Sequence, residues 1–396
     1  MTPILCCGFE CGVAVHWTPA AFFDTGTVRN GARSMRFNLS AASSNAQTAT
    51  LTSAARWICR IYVRFATLPT VSTGIFGTDS NEGTGGGPKV HFNASDNKIY
   101  AKVGTTLGAT GVSVTTGQWY RLDCDFNIVT GGSDTCDVQV DGTACGQATA
   151  TGASSQATSL FIGGFTITTC DIFFDDFITS NTAADYPIGD GKVLSFVPDA
   201  DGTHTATGTD IVKGTTGAPT GGGAITSSTT DAFNWVNGRP LLGGATDNTR
   251  LINQQTVAST EYAEVDFETT TEANAPRAVE VITADRQAGT QTCMFATKLN
   301  DNGTEDTIIT RNAAGVTSDR FVTKQYATMV GGGAWTLTRF NALKARFGYS
   351  TDATPDVYWR GIMIEAEFPP ASASTIDQWG QPTNQPRFER TLVVAY

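Results

Sequence analysis

The chain has 396 residues, with 26 basic against 37 acidic side chains and a formal net charge of −11. Charged residues make up 16%, well below the roughly 25% of ordinary soluble domains. The acidic balance argues against a nucleic-acid binder, which needs a basic face for phosphate, and against attraction to an anionic membrane surface. No run approaches the roughly 18 apolar residues of a membrane span, so no membrane insertion is expected. The length suits two or three domains, and either half is long enough to bury a core.

With 42 Gly, 14 Pro and frequent Thr, the texture is that of short strands and turns. The start, Met1 to Gly12, lacks a basic n-region and carries Glu10 where a signal peptide is apolar, so synthesis in a cytoplasm without a signal peptide is expected. Nine cysteines do not make a disulfide scaffold. Cys6, Cys7 and Cys11 form C-C-x3-C with no later C-x2-C, a poor zinc signature. Cys136 and Cys145 flank Asp141-Gly142, a two-residue hairpin turn. If Val140 pairs with Thr143, the two cysteines share a face, and buried thiols are expected in preference to a bridge.

Period-two runs then follow in order. Ser34 to Leu39 alternates Met35, Phe37 and Leu39 with polar partners. Arg56 to Phe65 puts Trp57, Cys59, Ile61, Val63 and Phe65 on one face, with Arg60, Tyr62 and Arg64 on the other. Val90 to Phe92 and Ile99 to Val103 flank the turn Ser95-Asp96-Asn97. Trp119 to Ile128 places Tyr120, Leu122, Cys124 and Phe126 inward, and Arg121, Asp123, Asp125 and Asn127 toward solvent. Asp137 to Val140, Leu160 to Ile162 and Asp171 to Ile178 complete the first set. Regular strands without intervening helices predict an antiparallel sandwich.

From about residue 184 to 230 the chain reads as a loop-rich junction, with Gly214 to Thr230 too polar to pack. Strand patterns resume at Tyr262 to Phe267, Ala278 to Thr283, Thr292 to Lys298, Arg320 to Met329 and Val357 to Phe368. The spacing of Phe340, Leu343 and Phe347 predicts a helix over 338–347, stopped by Gly348. Gly85 to Gly87, Gly221 to Gly223 and Gly331 to Gly333 read as turns rather than phosphate cradles. A polar tail, 371–396, ends in Leu392, Val393, Val394 and Tyr396, an apolar strand suited to its own sheet or to assembly with a neighbouring subunit.

The pieces Ser34 to Leu39, Gly117 to Leu122, Val138 to Gly142, Leu160 to Gly164 and Phe174 to Ile178 resemble, in order and spacing, a concanavalin A-like, laminin G-type jelly roll. Gly189 to Val193, Pro198 to Gly202 and Gly333 to Leu337 resemble a domain that follows such jelly rolls in structural proteins of tailed bacteriophages. The fold expected is all-β: two antiparallel jelly-roll-like sandwiches (1–183 and 231–370) joined by the 184–230 junction and followed by the extended tail. The resemblance implies a virion component on the particle exterior, tail-associated or a capsid decoration. It would be a homo-oligomer among other virion proteins, with no catalysis and no required cofactor. Recognition of a host-surface glycan by the first jelly roll is the alternative.

A third possibility lies in Glu264-Val-Asp-Phe-Glu268, which matches the catalytic strand of laminarinase- and lichenase-type glycosidases. It would make Glu264 the nucleophile, Glu268 the acid/base and Asp266 the helper. The Cα atoms of Glu264 and Glu268 would stand about 13 Å apart on a strand, which converging side chains would close toward the roughly 5–5.5 Å of a retaining pair. An ordinary amphipathic strand, with Tyr262 or Ala263, Val265 and Phe267 inward and the acids outward, accounts for the same residues and is preferred. Laminin G-type folds also sometimes bind calcium through acids such as Asp175 and Asp176, with Asp24 or Asp123 as helpers. Calcium takes six to eight oxygens, and too few are evident, so solvent-facing acids are preferred. His16, His91 and His204 belong to no metalloprotease or hydrolase motif. Trp57, Trp119, Trp235, Trp335 and Trp359 read as core anchors before a sugar platform.

Overall fold

A computed structural model of the chain describes residues 3–10, 16–18, 22–151, 155–205, 211–215, 218–226, 228–236, 250–254, 260–287, 292–314, 320–348 and 357–371. Side-chain alternation builds its strands. Along Arg56–Thr67, Trp57, Cys59, Ile61, Val63 and Phe65 are fully buried. Trp119–Asn127 lies antiparallel beside it, with Cys124 opposite Cys59 and Leu122 opposite Ile61, so the two inward rows stack in one core.

Strands between Pro3 and Ser180 form a single hydrogen-bonded network because two of them pass through both layers of the first sandwich. In Phe161–Ser180, Phe161 and Ile162 pair with Thr73–Gly77, while 171–180 pair with Arg56–Thr67. The partner Ser34–Thr48 follows it from Phe161 to Phe174, with register shifts after Gly164. Gly163 has φ +139°, and a Cβ there would stand 2.3 Å from the Ser44 carbonyl oxygen, so the crossing needs glycine. The turn residues Asp141 and Gly142 take φ of 50° and 84°, as a type I′ hairpin demands. Val140 pairs with Thr143, and Cys136 and Cys145 are buried, unbridged thiols, as expected.

The second sandwich packs two sheets. One contains Lys192–Phe196, Ile211–Thr215, Ala218–Ala224, Arg250–Gln254, Ala278–Gln287, Arg320–Tyr326 and Val357–Phe368. The other contains Pro198–Asp201, Tyr262–Phe267, Thr292–Asp301, Thr304–Ala314 and Leu343–Gly348. Val265, Val281, Leu299, Phe347, Trp359 and Ile364 are among the residues filling the space between them.

Three expectations change. The 184–230 stretch is not a loop-rich connection, since four strands start in it and join the second sandwich. Gly221 to Gly223 lie within Ala218–Ala224, at the edge of its sheet. Edge pairing runs through backbone N–H and C=O groups, so a polar, glycine-rich sequence satisfies it without an apolar signal. The predicted helix is one turn, Leu337–Phe340, capped by the Thr336 hydroxyl accepting from the Arg339 N–H. Leu343–Gly348 then continues as a strand, with Leu343, Ala345 and Phe347 buried and Lys344 and Arg346 on the other face. Period two prevails there because both neighbours in the sheet supply ladder partners. Finally, Arg60, Tyr62, Asp123 and Asp125 are buried rather than solvated. The face they occupy is covered by residues 186–193 and by the second sandwich.

Candidate functional site

That covered face is the junction between the sandwiches. Its apolar part joins Cys6, Ile58 and Ile178 of the first to Ile188, Val193 and Ala278. Beside it stands an ionic cluster. Arg60, fully buried, donates from Nη1 to Glu367 Oε1 (2.6 Å) and from Nη2 to the Asp176 carbonyl (3.3 Å). Arg277 closes a fork on the same carboxylate, Nε to Oε2 at 2.7 Å and Nη2 to Oε1 at 2.5 Å. Burial alone would raise the Glu367 pKa, but the charges of Arg60 and Arg277 outweigh it and hold the carboxyl below its ordinary value. Backbone approach is part of the fit: a Cβ on Gly191 would lie 2.1 Å from Glu367 Oε1 and 2.3 Å from Arg60 Nη1.

Asp176 reaches the junction through a bulge in Phe161–Ser180, where its own φ is 51°. Aspartate tolerates this left-handed conformation better than most residues. Its Oδ2 accepts from Arg29 Nη1 (2.5 Å) and Asn30 Nδ2 (2.7 Å), and its Oδ1 from the Val193 N–H (2.6 Å). The Arg29 guanidinium also lies over the Tyr62 ring, 3.4 Å from its centroid, and the Tyr62 hydroxyl donates to Asp190. Burial is the main reason the Tyr62 phenol is shifted upward.

These contacts correct the reading of Asp175 and Asp176. Both are buried rather than solvent-facing, and their oxygens are occupied by protein donors: Asp175 accepts the N–H groups of Arg29 (2.7 Å) and Asp176 (2.8 Å). Burial, then the Asp176 charge, raises the Asp175 pKa well above its ordinary value. A carboxyl that resists ionisation and a second already bound to arginine do not fit a calcium site. The proposed helpers are likewise engaged, Asp24 with the Gly26 and Thr27 N–H groups and Asp123 with Arg121 and the Gly189 N–H.

Glu264, Asp266 and Glu268 do not converge as a catalytic trio. Ala263, Val265 and Phe267 face the core, and Glu264 and Asp266 the opposite side of the sheet. There Glu264 meets its cross-strand neighbour Arg346, Nε to Oε2 at 2.5 Å, with Asn300 Nδ2 (3.1 Å) and the Thr203 N–H (2.9 Å) as further donors. Burial pushes this carboxyl up, but the Thr203 N–H and Arg346 outweigh it and leave it below its ordinary value. Asp266 pairs with Lys344 (3.0 Å). Glu268 lies past the strand end, accepts the Val197 N–H (3.2 Å), and lines a cleft of about 480 Å³ with Glu10, Ala32, Phe196, Asp199 and Thr269.

The histidines are separate too: His91 faces Glu82, His204 sits by Asp201 and accepts the Glu264 N–H, and His16 is buried near Glu280. Trp57, Trp335 and Trp359 are core residues and Trp119 is half-buried, while the Trp235 side chain is outside the described set. Leu392, Val393, Val394 and Tyr396 also lie outside the described residues. Sequence reasoning missed Arg29, Arg60, Arg277 and Glu367. One signal was present, since Ile58 and Tyr62 give the supposedly solvated face of their strand an apolar character.

No protein-family model matches the chain, and no curated protein matches it. Among solved structures it is similar to the cellulose-induced protein Cip1, at 13% identity and TM-score 0.31, over 40% of this chain and 84% of that one. It is also similar to an endo-β-1,4-glucuronan lyase from the fungus Trichoderma reesei, at 11% and 0.30, over 42% and 90%. A third is domain 4 of AbnA, a GH43 extracellular arabinanase from Geobacillus stearothermophilus in complex with arabinotriose, at 14% and 0.31, over 45% and 91%. One of these neighbours is a polysaccharide lyase and another a domain of an arabinanase. Likeness at this level carries no argument about activity.

Proposed function

We propose that the chain is a non-catalytic structural protein of a bacteriophage particle exterior, working through protein–protein assembly. The observation that carries this reading is the junction. Two sandwiches are fastened by a buried Arg60–Glu367–Arg277 cluster and an apolar patch, an arrangement that resists relative motion. The carboxylates nominated for glycoside hydrolysis support it from the other side. Glu264 is held ionised by Arg346 and Asn300, whereas a retaining pair needs one carboxyl kept protonated about 5–5.5 Å from the other. Antibody raised against the purified chain should label intact phage particles, with the chain recovered in multiples per particle. A chain found only in the soluble fraction of infected cells overturns the reading.

Glycan recognition is the second reading, and the cleft lined by Glu10, Asp199 and Glu268 favours it. Its size falls in the range of ligand pockets, and carboxylates accept hydrogen bonds from sugar hydroxyls. Binding of host-surface polysaccharide that Glu268→Ala abolishes would support this reading. Binding insensitive to that change would remove the cleft from it.

A further inference from the structure

A second cluster at the junction is used by neither reading. Cys7 ends the Pro3–Cys7 strand, opposite Phe177, and His16 directly precedes Trp17–Thr18; both belong to the first sandwich. Glu365 comes from Val357–Phe368 of the second. One ligand atom from each, the Cys7 thiol, the His16 imidazole and the Glu365 carboxylate, lie within 4.8 Å of one another, and all three residues are buried. Zinc bonds of about 2.0–2.3 Å set tetrahedral ligands roughly 3.3–3.8 Å apart, so small side-chain rotations close the set.

Two independent features point to a cation. His16 is 4% exposed, and its Nε2 has no hydrogen-bond partner. A buried imidazole nitrogen left this way costs free energy unless something accepts its proton or its lone pair. Glu280 and Glu365 also stand directly opposite each other on paired strands, both fully buried. Like charges in that position repel. Glu280 Oε1, also without a hydrogen-bond partner, is 3.4 Å from His16 Nε2 and stands beside the set. The carboxylate of Glu365 is oriented by the Gly8 and Glu10 N–H groups at 3.2 and 3.1 Å, the kind of outer support that metal ligands receive.

We propose that Cys7, His16 and Glu365 bind one zinc ion that ties the first sandwich to the second, with the fourth position left to a solvent molecule or to a shift of Glu280. Thiolate and imidazole together select zinc over calcium or magnesium. Binding releases the Cys7 thiol proton and involves no redox step.

The test uses the full chain. After incubation with Zn2+ and desalting, elemental analysis should find about one zinc per chain. Replacement by Co2+ should produce a thiolate-to-cobalt charge-transfer band that Cys7→Ser removes. His16→Ala and Glu365→Gln should weaken Zn2+ binding at least ~10-fold, the scale expected of a lost ligand. Cys145→Ser, in the first core, should leave both readouts unchanged. If a ligand variant fails to fold, the unsubstituted chain still decides: a folded chain that keeps no zinc, or whose cobalt form lacks the thiolate band, overturns the proposal. A band that survives Cys7→Ser overturns it as well.

Discussion

Glu367 and Glu264 make an instructive pair. Each sits on a strand of the second sandwich, and each is bound by arginine and held below its ordinary pKa. Glu264 is served by its own sandwich, from Arg346 on the next strand. Glu367 is served by Arg60, 307 positions away in the other sandwich, and by Arg277. The same chemistry therefore organises a local surface in one place and couples two domains in the other. What differs is the second layer of cover. Glu264 neighbours a half-exposed Asp266 and an exposed Glu305, whereas Arg60 and Glu367 have protein on every side.

The sharpest way to break this comparison is to remove one junction partner. Arg60→Ala leaves Glu367 buried beside a void and should cost about 3–5 kcal/mol in denaturant unfolding. A loss under about 1 kcal/mol would show that the junction is not what couples the sandwiches. The double variant Arg60→Met, Glu367→Met sharpens the point: it removes the fully buried pair and leaves only the part-exposed Arg277 without its carboxylate, so it should recover part of that loss.

Glu264→Gln should cost less, about 1–3 kcal/mol, and should change no polysaccharide-cleaving activity. A loss of cleavage in that variant would restore the catalytic reading of this strand.

A third carboxylate extends the comparison to pH. Burial raises the Glu82 pKa, but hydrogen bonds and charge from His91 and Lys102 prevail and bring it down to about 2, from 4.5. A folded-state pKa below the unfolded one adds stability that is complete above about pH 4.5 and disappears as pH falls toward 2. Melting temperature followed from pH 5 downward should fall less steeply in Glu82→Gln than in the unsubstituted chain. Equal slopes would assign acid sensitivity to other groups.

The smallest effect is expected at Ile167, 64% exposed. Ile167→Asp should shift stability by less than about 0.5 kcal/mol. A larger loss would reveal a contact made there by another copy of the chain.

Much of the fold was legible because strand periodicity is local. The row Trp57, Cys59, Ile61, Val63, Phe65 and the turn Asp141-Gly142 carry their geometry in the sequence itself. The helix expected over 338–347 failed because Phe340, Leu343 and Phe347 fit a helical spacing, while Leu343, Ala345 and Phe347 fit a strand equally well. Sheet partners on both sides decided between them. The strands of 192–224 were missed because their pairing is backbone chemistry that composition does not display.

By itself, then, the sequence determined the all-β class, the inward rows of the first sandwich and the placement of Glu264 and Asp266 on the sheet face opposite Val265, but not that Glu264 is buried there. Only the tertiary structure decided which polar residues would be buried, and against what. Arg60 with Glu367, or Cys7 and His16 with Glu365, meet across hundreds of positions because one sandwich covers a face of the other. Periodicity reports the two sides of a strand; it holds no information about whether the second side meets water or another sheet.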